Sequence, residues 1–188
     1  MLIVFEGIDG CGKDTQIKLL KEKLGCAVFK YPTQGNKAIN DYLAKKISPD
    51  PKALFLTFLS DIAEDQKNVK KALDAGKTVI LDRYVFSTIA YEINGIDYDR
   101  GKRIVESVGF LKPDLVILLD IDSKTSQERK RKQKQLDRYE EDPQYLEKVR
   151  ANFIRLFSDR FLTPNWQRID AVRSVDDVHK DILRVMKR

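Results

Sequence analysis

The chain has 188 residues, of which 42% are hydrophobic and 34% charged, and its formal net charge is +6 at neutral pH. That length and balance fit one globular domain with a sizeable core and exclude intrinsic disorder as the main state. No apolar run approaches the roughly 18 to 20 residues that span a bilayer, and Met1-Leu2-Ile3-Val4-Phe5 meets Glu6 with no basic residue before it, so neither a membrane span nor a secretory leader is expected.

In chain order, the first strand is predicted at Leu2–Phe5, followed by a glycine-rich turn and a helix marked by Ile17, Leu20 and Leu24. Ala27–Tyr31 has strand length, and Pro49 and Pro51 then precede an apolar helix from Ala53 to about Leu73, closed by Asp74-Ala75-Gly76-Lys77 with a C-cap-like glycine. Thr78–Leu81 and Leu115–Leu119 read as the third and fourth strands. Leu146, Val149, Phe153, Leu156, Phe157 and Phe161 mark a further helix, Trp166–Ile169 is a weaker strand, and Val175, Val178, Ile182 and Val185 form a last helix. The strand runs lack in/out alternation, as expected of strands buried on both faces. The predicted fold class is therefore α/β, a doubly wound five-stranded parallel sheet flanked by helices.

Cys11 and Cys26 are too few for a zinc site and too far apart for a redox pair, so a reducing, cytoplasmic setting is expected. The positive surplus leaves nucleic acid, a membrane surface or a phosphorylated small molecule open as partners. Much of it lies in Glu128–Arg138, where six basic residues face two acidic ones. That segment has no glycine or aromatic residue, which favours a helix or helix-flanking loop over a base-stacking platform.

The turn after the first strand reads Gly7-Ile8-Asp9-Gly10-Cys11-Gly12-Lys13-Asp14-Thr15. Gly7, Gly12 and Lys13 match a phosphate-binding loop, in which glycines let backbone N–H groups converge on phosphate oxygens and the lysine neutralises them. The position after the lysine should carry a hydroxyl for Mg²⁺, and here it is Asp14, with Thr15 one place later. Asp14 either meets the metal itself or points away from it. Ligand chemistry in such sheets gathers at the carboxyl ends of the strands. There Asp82 and Asp120 are candidates to hold Mg²⁺ or to cap the next helix, and Arg83 offers a planar fork for a phosphate.

FEGIDGCGKDTQ at 5–16, DRYVFSTIAYE at 82–92, PDLVILLDID at 113–122, LDRYEEDPQYLEKV at 136–149 and IDAVRSVDDV at 169–178 resemble the thymidylate kinases of the P-loop nucleoside-monophosphate kinase group. The resemblance implies a single kinase domain over residues 1–188, with an acceptor-binding region at about 31–75 and a basic lid at about 126–140. It also implies transfer of a phosphoryl group from Mg-ATP to dTMP by a cytoplasmic homodimer, with no nucleic acid or membrane as partner. In its terms Lys13 and the loop amides hold ATP, Asp9 faces the deoxyribose 3′-hydroxyl, Arg83 grips the acceptor phosphate and Phe58 stacks on thymine. Thr88 meets the base edge, and Tyr91 crowds the 2′ position. Since Gly10 stands where some members place a loop arginine, the catalytic arginine is expected from the lid, with Arg129 and Arg131 leading. The dimer face is expected on the helix from Ala53 onward and on Tyr84–Ile93, although a buried core reads the same way.

Three departures bear on specificity. Ile62 stands where the family has an arginine toward the thymine carbonyl, Tyr31-Pro32-Thr33-Gln34-Gly35 lacks the usual arginine toward the acceptor phosphate, and Glu92 replaces a common Gln. A broader or shifted base specificity is the alternative within the same chemistry. From a different class, the basic 128–138 segment leaves a nucleic-acid-binding module as a rival. Phe58 itself shares a helix with Phe55 and Leu59 and is equally readable as core.

Overall fold

Short apolar runs that alternate with amphipathic ones have one stable arrangement, strands side by side with helices covering both faces. A computed structural model describes residues 1–92, 94–131 and 142–187. It contains β1 (Leu2–Glu6), β2 (Ala27–Lys30), β3 (Val79–Asp82), β4 (Leu115–Asp120) and β5 (Trp166–Asp170). All pairings are parallel, in the order β2-β3-β1-β4-β5. β1 lies between β3 and β4, so the segments leaving these three strands emerge side by side at the carboxyl edge. The register brings Phe5 and Lys30 level with Asp82, and Glu6 level with Leu118.

Every residue of β1, β3 and β4 is buried, which accounts for their unbroken hydrophobic runs. β5 sits at an edge with only Trp166 and Ile169 buried, and its run is correspondingly weaker. Trp166 anchors it, with its ring 4.8 Å from that of Phe86 in an edge-to-face pair. Burying one such aromatic contributes about 2–3 kcal/mol.

The helices are α1 (Lys13–Leu24), α2 (Lys37–Leu43), α3 (Pro51–Asp74), α4 (Val85–Tyr91), α5 (Tyr98–Val108), α6 (Ser123–Arg131), α7 (Pro143–Ser158) and α8 (Val175–Met186). Local signals set their ends. Asp50 and Asp142 accept hydrogen bonds from the first-turn N–H groups of α3 and α7, each followed by proline at the first helical position. Gly76, at φ +74°, stands just beyond α3 where the C-cap was expected. α2, α4 and α5 were not predicted. α4 is a seven-residue apolar run buried on several sides at once, so it has no helical period to read. Because α4 lies in the chain's own core, its residues are not available as the apolar dimer face expected there. α3 does carry Leu56 in an exposed position.

Candidate functional site

The turn from β1 into α1 is built for close backbone approach. Gly7 has φ +139°, and a Cβ there would lie 2.4 Å from the Leu119 carbonyl oxygen. A Cβ on Gly10, at φ +76°, would lie 2.9 Å from the Ser126 carbonyl oxygen, so the absence of a loop arginine at Gly10 also lets α6 seat on the loop. Gly12 is the left-handed N-cap of α1 and brings no side chain to the first-turn N–H groups, which with the helix dipole form an anion-binding end. Lys13 is buried and folds back over the loop, with Nζ donating to the Gly7 carbonyl at 2.9 Å and the Ile8 carbonyl at 3.4 Å. Cys11 packs behind the loop, 3.4 Å from Lys13 Nζ.

The first residues of the 82–92 motif meet this loop. Arg83 Nη2 donates to Asp9 Oδ1 at 2.8 Å, and the Tyr91 hydroxyl donates to Asp9 Oδ2 at 2.9 Å. Arg83 also donates to the Gly7 carbonyl at 3.2 Å and Ser87 Oγ at 3.0 Å, and its guanidinium carbon lies 5.1 Å from the Tyr91 ring centre. Burial alone would raise the Asp9 carboxyl, but Arg83, then Lys13 and Lys130, hold it well below the usual carboxylate range. Arg83 has φ +68°, a left-handed conformation unfavourable for a side-chain-bearing residue. Strain of this kind, about 1–3 kcal/mol, persists where the surroundings over-determine it.

Glu6 provides much of that determination, and the sequence reading missed it. Its Oε1 accepts the N–H groups of Tyr84 at 2.8 Å and Ser87 at 3.2 Å, and its Oε2 accepts the Ser87 hydroxyl at 2.6 Å. A carboxylate from the end of β1 thus caps α4 and holds the Arg83 turn. Burial pushes the Glu6 carboxyl up to about 7 against the lowering pull of Arg83 and these hydrogen bonds. Its position directly before the phosphate loop was the only signal available.

A cavity of 390 Å³ joins these groups, and its lining includes Lys13, Asp14 and Thr15 of the loop and first turn together with Phe58, Ile62 and Thr88. Asp9, Arg83 and Tyr91 line the same cavity. Gly10, Gly12 and Asp82 line it as well, whereas Gly7, Ile8 and Cys11 stand behind as scaffold. Phe55 and Leu59 are almost fully buried and Phe58 on the same helix is half-buried; Phe55 and Phe58 both line the cavity. Asp61, another residue not foreseen, accepts from Thr33 N at 2.7 Å and Thr33 Oγ1 at 2.5 Å, tying the 31–35 loop to α3. Glu92 Oε1 accepts the N–H groups of Asn94 and Gly95 at 2.8 and 2.6 Å, bracing the turn after α4.

The basic segment begins as α6. Ser126 is fully buried and its hydroxyl donates to the Asp9 carbonyl at 2.6 Å. Arg129 donates to the carbonyls of Gly10 at 3.3 Å, Ala171 at 3.0 Å and Val172 at 3.1 Å, joining the loop to the turn after β5. Lys130 lines the cavity, and Arg131 is exposed. The remainder of the expected lid, 132–140, lies outside the described residues. Asp120 neither caps a helix nor faces the cavity, because it accepts from Arg150 at 2.7 Å and Arg168 at 2.6 Å.

Asp14 and Asp82 share a cation from the protein itself. Lys30 Nζ lies 2.5 Å from Asp14 Oδ1 and 2.9 Å from Asp82 Oδ2. Among the described residues no group of three or more His, Cys, Asp or Glu side chains is placed to hold a metal. Two hard carboxylates beside an anion site nevertheless suit Mg²⁺, which takes one or two protein carboxylates and completes its shell with phosphates and water.

The thymidylate kinase family model matches residues 5–182. The chain belongs to the thymidylate kinase family. A probable thymidylate kinase of Methanocaldococcus jannaschii is 37% identical over 100% of this chain and 96% of its own length. The human thymidylate kinase is 32% identical over 96% of this chain and 87% of its own. Among solved structures, the thymidylate kinase of Candida albicans superposes with a TM-score of 0.84 at 27% identity, over 99% of this chain and 90% of that one.

Proposed function

We propose that the protein transfers the γ-phosphoryl group of ATP to dTMP, giving dTDP and ADP, within the nucleoside-monophosphate kinase chemistry of its family. The observation that carries this reading is the hydrogen-bonded Asp9–Arg83–Tyr91 cluster, which lines one cavity together with Lys13 of the loop and Phe58. Lys13 and the loop N–H groups hold the ATP phosphates. Arg83 takes the acceptor phosphate, Asp9 accepts the 3′-hydroxyl, Phe58 stacks on the base, Thr88 meets its edge and the Tyr91 ring stands against C2′.

An acceptor phosphate oxygen is already anionic, so transfer needs alignment and charge neutralisation rather than a strong base. A guanidinium and an ammonium fixed around the transferring group act in that way. Arg129 is bonded to the Gly10 carbonyl of the loop and to the Ala171 carbonyl after β5, and in this reading it positions the loop, while Lys130 and Arg131 carry the closing charge of the lid. Asp82 and Asp14 are the residues that would hold Mg²⁺, which when bound supplies neutralisation of the phosphate oxygens. A cytoplasmic homodimer completes the reading, and sedimentation tests the assembly.

The deciding experiment compares kcat/KM for dTMP, dUMP, dCMP, dGMP and dAMP with Mg-ATP. A clear preference for dTMP is expected despite Ile62, which is buried and supplies no hydrogen bond to the base. Equal rates with all five would sink the dTMP assignment and leave a broad deoxynucleoside-monophosphate kinase.

A further inference from the structure

We propose that Asp14 and Lys30 act as a matched pair at the position after the loop lysine, with Lys30 a positioning residue that neutralises Asp14 in the metal-free site so that nucleotide phosphates are accepted beside it. This rests on the reading that the loop holds the ATP phosphates. Asp14 follows Lys13 directly and stands in the first turn of α1, the end whose N–H groups and dipole attract anions. A carboxylate there competes for the field that the phosphates need, and it adds a negative charge at short range.

The structure answers that charge from another element. Lys30 is the last residue of β2, in register with Asp82 at the end of β3, and its ammonium bridges Asp82 and Asp14. Asp82 is buried, with a side chain only 5% exposed, and so fixes one side of the bridge. Asp14 is 80% exposed, and an ion pair that open adds little to stability. Fold stability is therefore a weak reason for the Lys30–Asp14 half of the bridge, whereas compensation beside an anion site is a direct one. Three strand and helix ends, of α1, β2 and β3, converge to make it.

The test is calorimetric binding of ADP in metal-free buffer, with dTMP binding measured in parallel. Lys30→Met removes the ammonium from both Asp82 and Asp14, and the uncompensated Asp14 beside the loop is expected to weaken ADP about tenfold, the scale of one unit charge at a few ångströms in a hydrated site. Lys30→Arg retains ADP affinity. Adding Asp14→Ser to Lys30→Met restores it to within about twofold of the starting protein, and dTMP affinity stays level throughout. Unchanged ADP binding in Lys30→Met, or a double variant as weak as the single one, overturns the pairing. So does loss of dTMP rather than ADP affinity, which makes Lys30 an acceptor-phosphate ligand. Failure of the unmodified protein to bind ADP would instead remove the phosphate-loop reading on which the pairing rests.

Discussion

Two sets of charged groups at the site are held in different ways. On the acceptor side, Asp9, Arg83 and Tyr91 are bonded to one another, and Glu6 fixes the turn that carries Arg83. On the phosphate-loop side, the cations rest on other protein groups: Lys13 on the Gly7 and Ile8 carbonyls, Lys30 on Asp14 and Asp82, and Arg129 on Gly10, Ala171 and Val172. In the proposed reading the Asp9–Arg83–Tyr91 cluster is held in place before the acceptor arrives, whereas Lys13 and Lys30 exchange protein oxygens for ligand oxygens when phosphates bind. Substitutions on the two sides should consequently differ in kind, the first acting through geometry and the second through charge.

The largest effect is expected at Lys13. Lys13→Ala should lower kcat/KM about 10³-fold or more, because it removes the one loop cation placed for the phosphates, while calorimetry still detects dTMP. Full turnover in this variant would refute both the comparison and the kinase reading.

Arg83→Lys comes next and sharpens the contrast. Lysine keeps the charge but loses the planar fork that serves Asp9, Gly7 and Ser87 together, so kcat/KM for dTMP should fall about 10²-fold with KM for ATP little changed. Both residues carry a Cβ and find φ +68° equally unfavourable, so backbone strain is common to the pair and the difference reports the guanidinium. An equal rise in both KM values would contradict a preorganised acceptor side.

Much of this was legible in the sequence, for identifiable reasons. Strands buried on both faces show as unbroken apolar runs, and a phosphate loop between strand and helix is a local motif, so β1 to β4 and residues 7–15 could be placed without coordinates. The resemblance supplied Phe58, Thr88 and Tyr91, which the fold brings around one cavity. What escaped was pairing across the sheet. Glu6 bonds residues 78 and 81 positions away, Asp61 bonds Thr33 from another element, and Lys30 meets Asp14 and Asp82 through strand register. α4 escaped because burial on several sides erases periodicity.

Glu6 offers a test through pH. The folded protein holds its carboxyl at about 7, against 4.5 for the unperturbed group, so the fold binds this proton more tightly than the unfolded chain does. The associated stability is fully present below pH 4.5 and is lost as pH rises through 7, a change of about 3 kcal/mol. Glu6→Gln cannot ionise and keeps an oxygen for the Tyr84 and Ser87 N–H groups, so that decline should vanish from its profile. Urea midpoints of both proteins at pH 5 and pH 8 measure it, and identical differences would show that Glu6 does not titrate in this range.

The smallest effect is expected at Tyr91, where ring and hydroxyl serve different ends. Tyr91→Phe removes the donor to Asp9 Oδ2 but leaves Arg83 on Oδ1, so the carboxylate loses one of two anchors and remains paired. A lost hydrogen bond to a charged group is worth about 1.5–3 kcal/mol, and with Arg83 retained the lower end applies, a roughly tenfold fall in kcat/KM for dTMP. The phenyl ring still stands against C2′ in the proposed pose, so discrimination between dUMP and UMP should be unchanged in Tyr91→Phe and lost in Tyr91→Ala. If Tyr91→Phe instead relaxed that discrimination, the hydroxyl would be the group sensing the 2′ position, and the ring would be only the support that aims it.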